Sequence, residues 1–160
     1  MIGVFQQRKL KLFNIVEGVT KKYLNQSSRH AGFFRLPPNS HNPLRKQYNA
    51  ITILNHIAAK DKGDFDLKIG LVDVDIYIRN MNFIFGLADP SKKTALVSTY
   101  RLTGHKMEEH ISKEVIHEIG HLLGLRHCSN SKCVMHFSNT LNDTENKDIT
   151  FCKECKRKIG

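Results

Sequence analysis

The chain has 160 residues, of which 40% are hydrophobic, and a formal net charge of +10 at pH 7. This length and composition suffice for one domain with a hydrophobic core. The sequence contains no run of about 18 apolar residues that could cross a bilayer, and its first residues lack the pattern of a secretory signal. We therefore expect a soluble, cytoplasmic, monomeric protein with no membrane partner.

The positive charge is spread along the sequence rather than concentrated. The densest basic clusters lie at 8–11 and 153–158, and neither is interleaved with aromatic residues. Proteins that bind single-stranded nucleic acid combine basic grooves with aromatic side chains on which the bases stack. The pattern therefore favours a solvated basic surface over a nucleic-acid site.

Hydrophobic periodicity and turn residues predict alternating strands and helices. In chain order these are a strand near 3–5, a helix over 10–25, an extended stretch at 31–36, a second helix after a loop at 37–46, extended runs at 68–78, 82–86 and 94–102, and helices over 107–123 and near 153–158. The second helix is expected to place Tyr48, Ile51, Leu54 and Ala58 on one face.

This order of elements predicts an α/β (α+β) fold. We expect a mixed, twisted sheet with an antiparallel edge strand, packed on helices that include the one over 107–123. After Leu125 the chain is polar and carries all four cysteines, which indicates a small irregular C-terminal subdomain. We expect residues 1–160 to form a single domain, with about 1–124 as its upper subdomain and 125–160 as its lower one.

A metal-binding motif lies in the helix over 107–123. Residues 117 to 121 read His-Glu-Ile-Gly-His. Residues four apart on a helix lie one above the other, so His117 and His121 can reach one ion from the same side. Glu118 is displaced by about 100° around the helix, beside the metal rather than on it, which is the position of a general base.

The continuation of the motif supplies a third histidine. The apolar residues of this helix fill one arc, and His117 and His121 point to nearly the opposite side; that arc comprises Ile111, Val115, Ile116, Ile119, Leu122 and Leu123. A helix continued to His127 would carry that residue off the metal face. Gly124 can adopt the left-handed conformation that ends the helix and turns the chain back. Three neutral histidines then leave one position open for water, as in a catalytic zinc site.

The four cysteines form a second group. Cys128 and Cys133 are separated by four residues, and Cys152 and Cys155 by two, with eighteen residues between the pairs. Two short-spaced pairs across a loop are typical of a tetrahedral four-thiolate zinc site, which has no place for water and is therefore structural. Free thiols or a redox pair are the alternative interpretation.

These residues resemble those of a known family. His117 to His127 are similar to the zinc-binding consensus of the metzincin clan, and Met135 stands at the position of that clan's Met-turn beneath the metal. With Cys128, Cys133 and the pair Cys152 and Cys155, the chain looks like the archaemetzincin family, which adds a four-cysteine zinc site to the metzincin core.

The resemblance implies a substrate cleft between an upper and a lower subdomain. It also implies that residues 94–102 are similar to the edge strand that pairs with an extended peptide in this clan. Phe137 stands where some metzincins have a tyrosine near the metal, so no phenolic oxygen is expected as a ligand or oxyanion donor.

Four further residues are weaker candidates. Asp73 and Asp75 share a strand face and could serve a divalent ion or acid–base chemistry, although such residues more often only end a strand. His110 lies two turns before His117 and His136 is next to Met135; we expect both to be exposed or hydrogen-bonded structural histidines rather than residues that line the cleft.

The sequence thus predicts a zinc-dependent metallopeptidase that acts on a peptide or protein substrate. Two Zn²⁺ ions are expected, one catalytic and one structural, with activated water as nucleophile and Glu118 as general base and acid. A non-enzymatic zinc module that binds nucleic acid or another protein is the alternative, and hydrolysis of a non-peptide amide is a third possibility.

Overall fold

The computed structural model describes residues 1–61 and 63–160. Its strands are β1 Ile2–Gln7, β2 Ser28–Phe34, β3 His41–Asn42, β4 Gln47–Asn49, β5 Leu67–Val72, β6 Ile76–Tyr77, β7 Gly86–Asp89 and β8 Thr94–Ser98. Its α-helices are α1 Phe13–Leu24, α2 Ala50–Ala58, α3 Met107–Leu122, α4 Leu141–Asn146 and α5 Lys153–Ile159.

The main sheet has five strands in the order β2-β1-β5-β8-β7. All neighbouring pairs are parallel except β7 with β8, which is antiparallel. A smaller sheet has the order β3-β4-β6. The predicted mixed sheet with an antiparallel edge is confirmed, whereas the small sheet was not predicted because two of its strands have only two residues.

Helices cover both faces of the main sheet. Alternate side chains of β1, β5 and β8 enter two separate cores: Val4, Ile69 and Val97 pack with α1 and α3, and Phe5, Val72 and Leu96 pack with α2. The central strands are therefore buried on both sides, which explains their nearly continuous apolar sequences.

The edge of the sheet differs from the prediction. The resemblance had pointed to residues 94–102 as the edge strand, but β8 lies inside the sheet, paired with β5 on one side and β7 on the other. The edge strand beside α3 is β7. A strand's position in a sheet depends on pairing between distant segments, and the local sequence of β8 does not report it.

The extended run predicted at 68–78 is interrupted. It divides into β5 and β6, with Asp73 and Asp75 in the break. Asp75 accepts two hydrogen bonds from the guanidinium of Arg101, at 2.7 and 2.8 Å, and a third from Gln47 at 3.1 Å. Asp73 is exposed. The structure thus supports the structural alternative for these two residues.

The second helix begins later than predicted and buries a different face. Asn49 caps α2, its side chain accepting a hydrogen bond from the N–H of Thr52 at 3.2 Å. The buried side chains of α2 are Ala50, Ile53, Leu54 and Ile57. Tyr48 belongs to β4, and Ile51 is 50% exposed, so only Leu54 of the predicted face is buried.

The C-terminal region contains two short helices. The expected helix near 153–158 is confirmed as α5, but α4 was missed. Its signal was present as a capping box. The N–H of Asp143 donates to the side chain of Thr140, and the N–H of Thr140 donates to the side chain of Asp143. Across residues 1–61 and 63–160, no helix has both the length and the apolar character of a membrane span.

Candidate metal centres and catalytic cleft

Helix α3 lies in the protein interior. Its residues from His110 to Gly120 are buried, with the exception of Ser112. The predicted packed arc is confirmed for Ile111, Val115, Ile116 and Ile119, which are buried, whereas Leu123, also expected on this arc, is 41% exposed beyond the end of the helix. The helix also packs against β7 and α4, which its own sequence could not indicate.

The helix ends at the predicted glycine. Gly124 has a φ of +99°, its N–H donates to the carbonyl of His121 at 3.0 Å, and the N–H of Leu125 donates to the carbonyl of Gly120 at 3.0 Å. These two bonds and the left-handed residue form a Schellman motif. The chain reverses here and returns toward the helix.

This reversal brings three histidines together. The ligand nitrogens of His117, His121 and His127 all lie within 4.8 Å of one another. The Nε2 atoms of His117 and His121 are 3.2 Å apart. Two nitrogens on one tetrahedral zinc at about 2.05 Å would be about 3.3 Å apart, so the donor set fits this ion.

Backbone carbonyls orient two of the three rings. Nδ1 of His117 donates to the carbonyl of Val134 at 2.8 Å, and Nδ1 of His121 donates to that of Leu125 at 2.8 Å. The lone pair of each Nε2 is therefore free for a metal. Burial lowers the pKa of His117 well below its ordinary value and also lowers the pKa of His121 and of His127, which favours the neutral imidazoles that metal binding requires.

Glu118 lies beside these histidines and is 4% exposed. Burial, and secondarily the negative charge of Glu114, raise its pKa well above the ordinary value, while Lys147 acts in the opposite direction. The edge strand passes very close to it. A Cβ atom built on Gly86 would lie 2.7 Å from Oε1 of Glu118 and 2.8 Å from the backbone carbonyl oxygen of Leu96, so a larger residue would force β7 or Glu118 to shift.

The four cysteines also converge. The sulfur atoms of Cys128 and Cys152 are 3.9 Å apart, those of Cys133 and Cys155 are 3.8 Å apart, and all four lie within 4.8 Å of one another. Four thiolates around one zinc at about 2.3 Å would be about 3.8 Å apart.

The surroundings of the sulfurs favour the thiolate at Cys152 and oppose it at Cys133 and Cys155, because burial raises the pKa of these two thiols. Sγ of Cys133 accepts hydrogen bonds from the N–H groups of Met135 and Cys152. A hydrogen bond from the N–H of Cys155 is the main cause that lowers the pKa of Cys152 to about 7. Cys128 directly follows His127, so the two candidate metal centres are adjacent in the sequence.

A cleft of about 680 Å³ opens onto the three histidines and Glu118. One wall is formed by the segment that leads into β7, and the other by Gly124–His127 and Phe137–Asn139. The ring of Phe137 lies 5.0 Å from that of His127. Most of the lining is apolar, and its large side chains are Ile78, Met81, Phe83, Phe85, Leu87 and Phe137.

The upper wall of the cleft, formed by residues 78–85, is fixed by contacts with other parts of the chain. Arg45 donates to the carbonyl of Met81 at 2.7 Å, and Gln47 donates to that of Asn82 at 2.7 Å. The guanidinium of Arg101 lies 4.0 Å from the centroid of the Phe83 ring. These contacts give the wall a fixed shape although residues 78–85 contain only an isolated bridge, at Ile84.

Sequence reasoning missed several residues near the site. Glu114 and Ser138 line the cleft, Lys147 is fully buried beside Glu114, and Thr144 donates to the Glu114 carboxylate at 2.9 Å. The spacing of Glu114, one helical turn before Glu118, was the one available signal. Lys147 is 33 positions from Glu114 and carried none.

The two weaker histidine candidates have different surroundings. His136 donates from Nδ1 to the carbonyl of Cys128 at 2.8 Å, as expected of a structural histidine. His110 is 3% exposed, and within the described residues neither of its ring nitrogens has a hydrogen-bond partner. The expectation that His110 is exposed or hydrogen-bonded is therefore wrong.

Comparison with known proteins identifies the class. Residues 43–160 match the sequence model of Peptidase family M54, and the chain belongs to this family. Its relatives include the archaemetzincins of Archaeoglobus fulgidus, 43% identical over 122 residues (74% of this chain and 72% of that protein), and of Nanoarchaeum equitans, 44% identical over 124 residues (78% and 69%).

Solved structures agree with this assignment. The archaemetzincin of Methanopyrus kandleri superposes with a TM-score of 0.89 at 31% identity, covering 98% of this chain and 91% of the other. The zinc-dependent peptidase of Methanocorpusculum labreanum gives a TM-score of 0.86 at 25% identity, with complete coverage of both chains at 100%. The predicted archaemetzincin resemblance is confirmed, and the family supports a zinc metallopeptidase.

Proposed function

We propose that this protein is a metzincin-type peptidase that binds two Zn²⁺ ions and hydrolyses peptide bonds in the cleft. The observation that carries the proposal is the convergence of His117, His121 and His127 beside a buried Glu118 at the floor of an open cleft. His117, His121 and His127 would hold the catalytic ion, and Cys128, Cys133, Cys152 and Cys155 the structural one.

The side chains around the first ion have distinct tasks. When bound, zinc supplies Lewis-acid polarisation and lowers the pKa of water. Val134 and Leu125 keep two imidazoles in the tautomer that leaves Nε2 free. The carboxylate of Glu118 accepts a proton from the attacking water and then donates it to the leaving amine. The positive charge of Lys147 acts against the effect of burial on the pKa of Glu118 and favours the ionised, basic form of this carboxylate.

The cleft suits an extended peptide. Its upper wall continues into β7, whose outer edge is not paired within the main sheet. We propose that the substrate backbone pairs with β7, in place of residues 94–102, and that it lies between a subdomain of about 1–124 and one of about 125–160. The apolar lining favours substrates with apolar side chains near the scissile bond.

The test combines metal analysis with a peptide-library digest, on protein purified without added metal. We expect two zinc equivalents and cleavage. Glu118→Gln should retain both equivalents and lose turnover by about 10²–10⁴-fold, the usual contribution of a general base. Undiminished turnover in this variant would exclude Glu118 as the base. A single equivalent, lost only on mutation of the cysteines, together with no cleavage would favour the non-enzymatic zinc module.

A further inference from the structure

The buried ion pair between Lys147 and Glu114 joins two parts of the molecule. Nζ of Lys147 lies 3.3 Å from Oε1 of Glu114, and the two side chains are 0% and 3% exposed. Glu114 is on α3, three residues before His117, whereas Lys147 follows α4. Thr144 donates to the same carboxylate oxygen at 2.9 Å and fixes its orientation.

Lys147 also contacts the loop that follows the third histidine. Its Nζ donates to the carbonyl of His136 at 3.2 Å, and Nδ1 of His136 donates to the carbonyl of Cys128 at 2.8 Å. The N–H of Cys128 donates to the carbonyl of Met135 at 3.0 Å. Because Cys128 follows His127 directly, a short hydrogen-bond chain leads from Lys147 to the backbone that carries this histidine.

Stability alone does not explain this arrangement. A buried ion pair costs so much desolvation that a well-packed apolar pair is often as stable or more so. The pair instead provides a defined geometry, because the ammonium group of Lys147 contacts Glu114 of α3 and the carbonyl of His136 in the loop that follows His127.

We propose that Lys147 is a positioning residue for the three-histidine centre, holding the loop of His127 against the helix that carries His117 and His121. This inference rests on the proposed zinc binding by these histidines. Lys147 does not line the cleft. Besides the effect of its charge on the pKa of Glu118, it acts on the centre through its contacts with Glu114 and His136.

The chain offers a matched control in Lys113. Its side chain is 5% exposed, and its Nζ donates to the carbonyls of Thr144 and Glu145 at 3.2 and 3.1 Å. It therefore also joins α3 to α4 as a buried lysine, but none of these contacts reaches residues 127–137. Lys113→Met therefore removes a buried lysine that joins α3 to α4 without contacting residues 127–137. Lys147→Met removes the lysine for which we propose the positioning role.

The experiment measures zinc affinity by chelator competition on the full chain, with His127→Ala used to assign the zinc equivalent of the three-histidine centre. We expect Lys147→Met to weaken binding at this centre by about 10–100-fold, as for other residues that orient metal ligands, and Lys147→Arg to restore it to within about threefold. Lys113→Met should keep the wild-type affinity even if it lowers the Tm.

Two results would overturn the inference: wild-type affinity in Lys147→Met, or an equal loss in Lys113→Met. If Lys147→Met does not fold, His136→Ala replaces it, because this change breaks the chain to Cys128 while leaving the ion pair intact; unaltered affinity there also refutes the proposal. Equal zinc content in the wild type and in His127→Ala would instead contradict the proposed function itself.

Discussion

Gly120 shows how closely neighbouring residues pack against α3. A Cβ atom built on this glycine would collide with Sδ of Met135 and lie 3.0 Å from Cε1 of Phe151. Met135 is itself fully buried. A larger residue in place of this glycine would therefore have to displace the side chain of Met135.

We predict that Gly120→Ala destabilises the protein. Alanine gains about 1 kcal/mol of helix propensity, but overpacking costs about 1–3 kcal/mol, which leaves a net loss of up to about 2 kcal/mol in the free energy of unfolding. Gly18→Ala in α1 is the control, since no atom lies within 4 Å of its added Cβ, and it should stabilise by about 0.5–1 kcal/mol. Urea unfolding measures both, and equal effects of the two changes would contradict the packing explanation.

At this scale the sequence predicted the positions where helical geometry or short spacing decides. His117, Glu118 and His121 are linked by the period of one helix, and Gly124 by the need to end it. Glu114, Lys147 and Ser138 were not predicted because their proximity depends on how the C-terminal segment folds back over α3. Side-chain identity alone makes Lys147 look like one of many surface lysines.

Among the elements, α4 and α5 are the shortest α-helices of the described residues. They are six and seven residues long, and isolated helices of this length are not stable in water. Phe151 and Cys155 are buried, but the segment otherwise contributes few large side chains to the core. A metal at the cysteine centre would supply the missing stability.

We predict that Cys155→Ser removes one zinc equivalent and lowers the Tm by about 10 °C or more, since a loss of about 3–5 kcal/mol shifts a domain of this size by that amount. Limited proteolysis should then cut within residues 128–160. His127→Ala should also lose one equivalent but leave this region resistant. Cleavage at other places in Cys155→Ser would show that the cysteines stabilise a different part of the molecule.

Most of the predicted helices and strands are present in the structure, but which strands pair with one another was predicted less well. The helices over 10–25 and 107–123 follow from long periodic patterns, and β1 and β8 from short apolar runs. The edge position of β7 and the split between β5 and β6 depend on contacts such as that of Asp75 with Arg101, 26 residues apart. Local patterns carry no information on such pairs.

For the molecule as a whole, the buried His110 makes stability depend on pH. Desolvation is the main cause that lowers its pKa below 6.5, and the charges of Glu145, Lys113, Glu109 and Lys106 act in opposing directions around it. As the pH falls below 6.5, the unfolded chain binds a proton that the folded protein resists. His110 therefore does not reduce the free energy of unfolding above this pH. Below it the free energy of unfolding decreases until the pH reaches the pKa of His110 in the folded state.

We predict that His110→Phe raises the free energy of unfolding at pH 7, because a ring without unpaired polar atoms replaces the imidazole. Between pH 7 and 5 its stability should also fall less steeply than that of the wild type, by at most about 1.4 kcal/mol per pH unit. Denaturant unfolding across this range provides the measurement. An unaltered pH dependence would mean that His110 titrates in the folded protein as it does in the unfolded chain.

The turn at Gly124 has a consequence for how this chain tolerates insertions. Leu125 uses both of its backbone polar groups there: the N–H closes the end of α3 on Gly120, and the carbonyl accepts from His121. One residue thus contributes to ending the helix and to orienting an imidazole. The number of residues between the second and third histidines is consequently dictated by backbone hydrogen bonding, while the side chain of Leu123, which is exposed and does not line the cleft, is left free to vary.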